Sequence, residues 1–167
     1  EVPAAGVVVG GLGLQGVGED PGGGGLSAEG RDGVPVGADR IEIAVCGAHL
    51  SGLPLNGDLT RRGGTLIREG RTTSDYAFFA LPTAGVAKPG LVRVSDGAGV
   101  RVFVEVWSLP SEQFGSFMKT IPAPLGIGTV RLSDGSSVQG FLCEAVATHG
   151  ARDISDLADW RAFVAQT

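Results

Sequence analysis

Aromatic residues and glycines are unevenly divided along this 167-residue chain, and that division limits where a hydrophobic core can form. All ten aromatic residues lie after position 75, whereas 13 of the 29 glycines lie within residues 1–39. Ordering a backbone costs about 1–2 kcal/mol per residue, and a stretch without large apolar side chains cannot offset that cost. We therefore predict that residues 1–39 are a flexible Gly-rich linker or tail and that residues 40–167 form one folded domain.

Short apolar runs, separated by glycine, proline or Asp-Gly turns, predict that this domain consists mostly of strands. The predicted strands are 41–46, 65–68, 76–81, 91–94, 100–109, 127–132 and 138–146. Two helices are expected, one from Pro110 to Lys119 and one in the C-terminal segment that begins at Asp153. No strand–helix–strand alternation is present, which argues against a doubly wound parallel sheet. The pattern predicts an α+β fold whose strands form a small barrel or a highly curved sheet.

Charge and composition exclude several classes of protein. The formal net charge is −5 at pH 7, and the absence of any Lys/Arg cluster argues against nucleic-acid binding. No apolar run approaches the roughly 18–20 residues that span a bilayer. Two distant cysteines, Cys46 and Cys143, provide neither a zinc-binding Cys pair nor a disulfide scaffold. We expect a cytoplasmic protein without metal or cofactor.

The best candidate site is the loop that directly follows the first predicted strand, residues 46–52. Glycines on both sides of its centre allow backbone N–H groups to converge on an anion. His49 is the only side chain of this loop that can move a proton near neutral pH. It is either a proton-transfer residue or the packed histidine of a tight turn. The other histidine, His149, is expected in an exposed turn.

Several other polar residues allow two interpretations each. Burial of Glu105 in an apolar strand would raise its pKa and make it an acid or base, unless it lies on a barrel exterior. Tyr76 begins a strand and either offers its hydroxyl to a cavity or covers the core. Lys88 precedes a Pro-Gly turn and is either an exposed turn residue or a carboxylate-binding cation. Ser136 and Ser137 are predicted to be hairpin residues rather than catalytic serines.

Several segments together resemble the C-terminal domain of allophanate hydrolases. They are GAHLSGLPLN at 47–56, KPGLVRV at 88–94, VEVWSLP at 104–110, FGSF at 114–117, IPAPLGIGTV at 121–130, GFLCE at 140–144, DI at 153–154 and WR at 160–161. The resemblance spans about residues 41–163, and residues 1–39 lie outside it. Several ordered motifs of four or more residues are specific, unlike a lone Gly-rich loop.

This resemblance implies a gamma-glutamylcyclotransferase-like fold, a small mixed β-barrel with one or two helices. It implies a place in urea or s-triazine nitrogen catabolism, where an amidase domain deaminates allophanate and leaves N-carboxycarbamate. The C-terminal domain then takes this dicarboxylate onward to carbon dioxide and ammonia, without a metal or organic cofactor. Its partners would be this small substrate and an amidase domain or subunit, and the oligomeric state is left open.

The resemblance also assigns roles to residues of the candidate loop and its surroundings. His49 becomes the catalytic proton donor. The residues expected to hold the substrate are Gly47, Ala48, Leu50, Ser51 and Tyr76. Further candidates are Asn56, Lys88, Glu105 and Pro124, of which Asn56 is expected to tie the loop down from behind.

Two other functions remain open from the sequence. The domain could be a non-catalytic assembly or regulatory module for an amidase partner, because its set of catalytic side chains is small. It could also be a gamma-glutamyl cyclotransferase. Against that reading, residues 117–122 lack the glutamate that the cyclotransferases use as acid or base.

Overall fold

Short strands dominate the computed structural model, which describes residues 39–167. The predicted linker or tail, residues 1–39, lies outside the described residues except for Asp39. The strands are Arg40–Val45 (β1), Thr65–Arg71 (β2), Tyr76–Ala80 (β3), Pro89–Arg93 (β4), Phe103–Pro110 (β5), Leu125–Arg131 (β6), Ser137–Cys143 (β7) and Arg152–Asp153 (β8). The helices are Gly57–Thr60 (α1), Ser111–Met118 (α2) and Trp160–Val164 (α3), with a 3₁₀ turn at Ala145–Thr148.

The strands form two sheets, which confirms the α+β class. The larger sheet has the order β2-β5-β1-β7-β6, and the smaller has the order β4-β3-β8. The larger sheet is mixed, because β1 is antiparallel to β5 and parallel to β7.

The prediction of a closed barrel is wrong. A barrel requires neighbouring strands to pair along their length around the whole circumference. Here β2 and β6, the two edges of the larger sheet, meet only beyond their ends, at an isolated bridge between Thr72 and Leu132. The prediction of one or two helices also misses α1, which is a single turn and therefore too short to show a helical period.

β5 is the strand around which the larger sheet is organised, since it pairs with β1 on one side and β2 on the other. Residues 104–109 of this strand are all buried, so both of its faces are covered. One apolar cluster joins the two sheets and the helices, and it includes Ile43, Phe78, Phe117 and Trp160. This arrangement fixes the carboxyl end of β1 within the core.

The C-terminal helix begins later than the sequence predicts. Asp153 belongs to β8, and its carboxylate accepts a hydrogen bond from the Ser155 N–H at 2.9 Å. The residue that caps α3 is Asp159, whose side chain accepts from the Arg161 N–H at 2.9 Å. The predicted hairpin between β6 and β7 is confirmed, with Gly135 at a φ of 87° that favours glycine.

Asp75 is a buried carboxylate on which folding stability should depend. Burial raises its pKa, but a hydrogen bond from Thr73 and the charges of Arg93 and Arg131 outweigh this and leave the pKa below its ordinary value. Its stabilisation is therefore present above the unfolded pKa and lost as pH falls through the folded pKa. We expect Asp75→Asn to lower the free energy of unfolding at pH 7 by about 1–3 kcal/mol in urea titrations.

The same substitution should change the acid sensitivity of the protein. Between about pH 5 and pH 3, the wild type should lose more stability than Asp75→Asn, because the variant has no carboxylate to protonate there. Parallel stability curves for the two proteins would show that Asp75 is not held ionised by its arginines.

Candidate functional site

A cavity of about 140 Å³ opens at the carboxyl end of β1. Residues 45–49 form one wall, and Lys88 with Pro89 form a second. The remaining lining residues are Leu55, Asp58, Thr120, Ile121, Pro122, Leu125 and Phe141. The structure thus brings together four of the predicted site residues, namely Gly47, Ala48, His49 and Lys88.

The loop after β1 turns tightly and leaves several donors free. The Leu50 N–H donates to the Gly47 carbonyl, and the Leu55 N–H donates to the Ala48 carbonyl, both at 2.9 Å. Within residues 39–167, the N–H groups of Gly47, Ala48 and His49 donate to no acceptor. Such adjacent free N–H groups are what an anion-binding nest requires.

Gly47 is required by the close approach of the loop to the opposite wall of the cavity. A Cβ atom at this position would lie 2.5 Å from Cδ of Pro89, closer than packed carbon atoms approach. Asn56 fixes the other end of the loop, because its Nδ2 donates to the His49 carbonyl at 2.9 Å. Asn56 does not line the cavity. Its position agrees with the expected role of holding the loop from the side away from the substrate.

His49 is packed against aromatic rings and also lines the cavity. Its ring stacks on Phe141 at a centroid distance of 5.0 Å and meets Phe117 edge-on at 5.4 Å. The side chain is 13% exposed, and in the described part of the chain its Nε2 has no hydrogen-bond partner. The nearest carboxylate oxygen is Oδ2 of Asp58, at 3.7 Å. Nε2 itself is buried, so it can reach a molecule in the cavity only after a small shift of the ring or of a neighbouring side chain.

Burial decides the charge of His49. It lowers the pKa of His49 to about 4; the charge of Asp58 opposes this effect, and the smaller effects of Lys88 and Arg62 reinforce it. The imidazole is therefore neutral at pH 7. An anion in the cavity would raise this pKa, since a nearby negative charge favours the protonated form.

This low pKa predicts a loss of stability in mild acid. The folded pKa of about 4 lies below the unfolded value of 6.5, so the unfolded chain binds more protons between these pH values. The contribution of His49 is complete above pH 6.5 and falls by about 3 kcal/mol as pH decreases to 4. In urea unfolding, His49→Gln should lose less stability than the wild type over this range, and equal losses would contradict the buried neutral state.

Three predicted residues lie away from the cavity lining. Leu50 is fully buried in the core, and its N–H is already bonded within the loop. The Tyr76 hydroxyl accepts from the Arg131 N–H at 2.9 Å, so this buried side chain covers the core. Pro124 lies beside the wall, where its carbonyl accepts from the Glu144 N–H at 2.9 Å. These positions do not fit a role in binding substrate.

Ser51 and Glu105 also point away from the cavity and towards each other. The Ser51 hydroxyl donates to Glu105 Oε2 at 3.0 Å. The Glu105 side chain is 1% exposed, which excludes the alternative that it lies on the exterior of the sheet. Burial raises its pKa, but hydrogen bonds from Arg161, Ser51 and Trp107 outweigh burial and leave the pKa below its ordinary value. Glu105 is therefore a carboxylate near neutral pH rather than a proton donor.

Some lining residues had no usable signal in the sequence. Asp58 lies on α1, a single turn that no periodicity reveals. Phe141 reaches His49 because β1 and β7 pair in parallel, and such long-range pairing is not encoded in local pattern. His149 lies in an exposed turn, as predicted.

The comparison with protein families decides the affiliation of the domain. Residues 41–165 match the model of the allophanate hydrolase C-terminal domain. The chain belongs to this family. The resemblance that the motifs indicated is thereby confirmed.

Relatives show how the domain occurs in other proteins. It is 43% identical over 126 residues to urea amidolyase of Saccharomyces cerevisiae, a match that covers 74% of this chain and 7% of that protein. It is 39% identical to the structure of Kluyveromyces lactis allophanate hydrolase, with a TM-score of 0.74, covering 77% of this chain and 21% of that one. The chain thus corresponds to a small part of these longer proteins.

A third relative is much shorter. The structure of a uropathogenic E. coli-specific protein is 36% identical, with a TM-score of 0.70, and the match covers 77% of this chain and 98% of that one. Members of the family therefore occur both within long chains and in a chain not much larger than the domain.

Other features of the described region complete the survey. Both cysteines are free and buried. Across residues 39–167, no group of three or more His, Cys, Asp or Glu side chains is placed to hold a metal ion. None of the helices in this region has the length and apolar character to cross a membrane.

Proposed function

We propose that this domain decarboxylates N-carboxycarbamate, with His49 as the proton donor. The observation that carries the proposal is the unpaired, buried Nε2 of His49, a residue that lines a small cavity together with free backbone N–H groups and a lysine. The names of the relatives, urea amidolyase and allophanate hydrolase, support the proposed place in the breakdown of urea nitrogen.

The size of the cavity favours a small substrate. An apolar cavity of about 150 Å³ in another protein accommodates benzene, a molecule of six non-hydrogen atoms. The cavity here is about 140 Å³, and N-carboxycarbamate has seven such atoms. A gamma-glutamyl amide has ten or more, so the volume favours the small dicarboxylate over a cyclotransferase substrate.

The charge of the cavity favours an anion, because the carboxylate in its lining, Asp58, is already paired with Arg61 and Arg62. Lys88 also lines the cavity and forms no ion pair with any residue between 39 and 167. Hydrogen bonds between a charged donor and a carboxylate are the strong ones, so Lys88 is suited to hold one end of a dicarboxylate. The free N–H groups of Gly47, Ala48 and His49 are suited to hold the other end.

Substrate charge provides the means to protonate His49. Moving its pKa from about 4 to neutral pH requires about 4 kcal/mol. One charge 4 Å from the imidazole contributes about 4 kcal/mol at an effective dielectric constant near 20. N-carboxycarbamate carries two negative charges, so its binding is sufficient to bring a proton from solvent onto His49.

The chemical step then follows from the position of this proton. The C–N bond to one carboxylate breaks, and its electron pair stays on nitrogen, which takes the proton from the imidazolium. The products are neutral carbon dioxide and carbamate, and carbamate loses its own carbon dioxide in water to give ammonia. General acid catalysis of this kind contributes about 10²–10⁴-fold.

The experiment measures carbon dioxide release from N-carboxycarbamate that an amidase generates in the assay mixture. The full chain is added to an allophanate-cleaving amidase that lacks its own C-terminal domain, and carbon dioxide is followed by membrane-inlet mass spectrometry. We expect a saturable increase above the spontaneous rate. Malonate, in which CH₂ replaces the NH group, has the same two carboxylates but cannot lose carbon dioxide by the same step. It should therefore occupy the cavity without reacting and inhibit this increase competitively.

Other results would favour the other functions. An unchanged rate of carbon dioxide release, together with a change in amidase turnover or oligomeric state, would identify the domain as an assembly or regulatory module. Release of 5-oxoproline from a gamma-glutamyl amine would identify a cyclotransferase.

A further inference from the structure

Ser51, two residues after His49, has all of its polar groups engaged by one ion pair, in which Glu105 is buried and Arg161 is 35% exposed. Its N–H and hydroxyl donate to Glu105 Oε2 at 2.9 and 3.0 Å. Its carbonyl accepts from Arg161 Nη2 at 2.9 Å. One residue of the loop is thus held from two distant parts of the chain, strand β5 and helix α3.

Both carboxylate oxygens of the ion pair accept hydrogen bonds. Glu105 Oε1 accepts from Arg161 Nη2 at 2.7 Å, and Oε2 accepts from Trp107 Nε1 at 3.0 Å in addition to Ser51. Arg161 is oriented by the cap of α3 and by Phe103, over whose ring its guanidinium lies at 5.6 Å. The contacts leave the carboxylate little freedom to rotate.

Stability alone does not account for this arrangement. Burying the Glu105 charge and part of the Arg161 charge costs desolvation energy, and well-packed apolar residues of similar volume often stabilise a protein equally well. The pair instead fixes the orientation of the loop, because each bond to Ser51 holds one atom of the loop in place. Asn56 fixes the carbonyl of His49 from the other end, so the segment that carries the imidazole is held at two points.

We propose that Glu105 and Arg161 are positioning residues that hold the loop so that the His49 imidazole stays against Phe141 in the wall of the cavity. Helix α3 is then a required part of the site although it contributes nothing to the cavity lining. The consequence for catalysis rests on the proposed function, whereas the consequence for loop geometry does not.

The first test measures amide hydrogen exchange in the full chain. Glu105→Gln keeps the side-chain size but replaces one acceptor oxygen by a donor group. We expect the amides of Leu50 and Leu55, which close the loop, to exchange at least about 10-fold faster relative to amides of β7. The matched control is Asp75→Asn, another buried carboxylate paired with arginines that does not contact the loop.

The second test measures catalysis. Displacing a reacting group by about 1 Å can cost about 100-fold in rate, so we expect kcat of Glu105→Gln to fall by about 10–100-fold. The Kd for malonate should rise less, because Lys88 lies on a separate segment. Arg161→Lys, which keeps the charge, should retain more activity than Arg161→Met.

The outcomes separate the two proposals. Unchanged loop exchange in a folded Glu105→Gln would overturn the positioning role, whatever the activity. Faster loop exchange without any wild-type decarboxylation would support the positioning role and reject the proposed function. If Glu105→Gln fails to fold, the same exchange comparison between Arg161→Lys and Asp75→Asn decides the matter.

Discussion

Replacing His49 by glutamine is expected to lower kcat for carbon dioxide release by about 10²–10⁴-fold, because the variant lacks the imidazole that donates the proton. Glutamine places an amide near the position of Nε2, so the cavity keeps its shape and polarity. Malonate should therefore still bind, with a Kd within a few-fold of the wild-type value. The measurement combines the amidase-coupled assay with calorimetric titration of malonate.

The matched control for this variant is His149→Gln, which removes the other histidine of the chain from an exposed turn. Its rate should equal that of the wild type. The wild-type rate should also fall as pH rises past the pKa of His49 in the complex, since the protonated form is required. A His49→Gln protein with wild-type rates at every pH, after subtraction of spontaneous decarboxylation, would leave His49 as a packing residue only.

Replacing Lys88 by methionine is expected to weaken malonate binding by about 10–100-fold, because a hydrogen bond to a charged group contributes about 1.5–3 kcal/mol. Malonate affinity of the wild type should fall with added salt, and that of the variant should fall less steeply. Lys119→Met is the matched control. It removes the other lysine of the chain, which is exposed and does not line the cavity, and its Kd should stay within about 2-fold.

The same variant provides a second, independent readout. The Lys88 charge lowers the pKa of His49, so Lys88→Met should raise that pKa above its value of about 4 in the free protein. An NMR titration of the imidazole measures this directly. An unchanged pKa would show that the lysine does not lie close to His49 in solution.

The elements that could be predicted are those that depend on neighbouring residues. Strand β5 was visible as a long apolar run, and the hairpin before β7 was visible from its Asp-Gly turn. The loop around His49 was visible because glycines and a single titratable side chain follow a strand directly. Each of these signals is contained within about ten residues of sequence.

The elements that could not be predicted depend on contacts between distant segments. Glu105 pairs with Arg161, which lies 56 residues away in the sequence. This partner reverses the expected direction of the pKa shift of Glu105. The first residue of a strand can face either side, so the sequence could not tell whether Tyr76 faces a cavity or the core. Barrel closure depends on whether two edge strands meet along their length, which local pattern does not determine.

The direction of β1 has a consequence for how substrate reaches the domain. The six-residue strand runs from Arg40 to Val45 and spans about 20 Å, so residue 39 lies at the end remote from His49. In the proposed reaction, an intermediate that reaches the cavity through bulk water also decays unaided on the way. The acceleration that the domain provides would then depend on the rate at which it captures the intermediate relative to the rate of spontaneous decay. The local concentration of the domain would therefore matter as much as its turnover number.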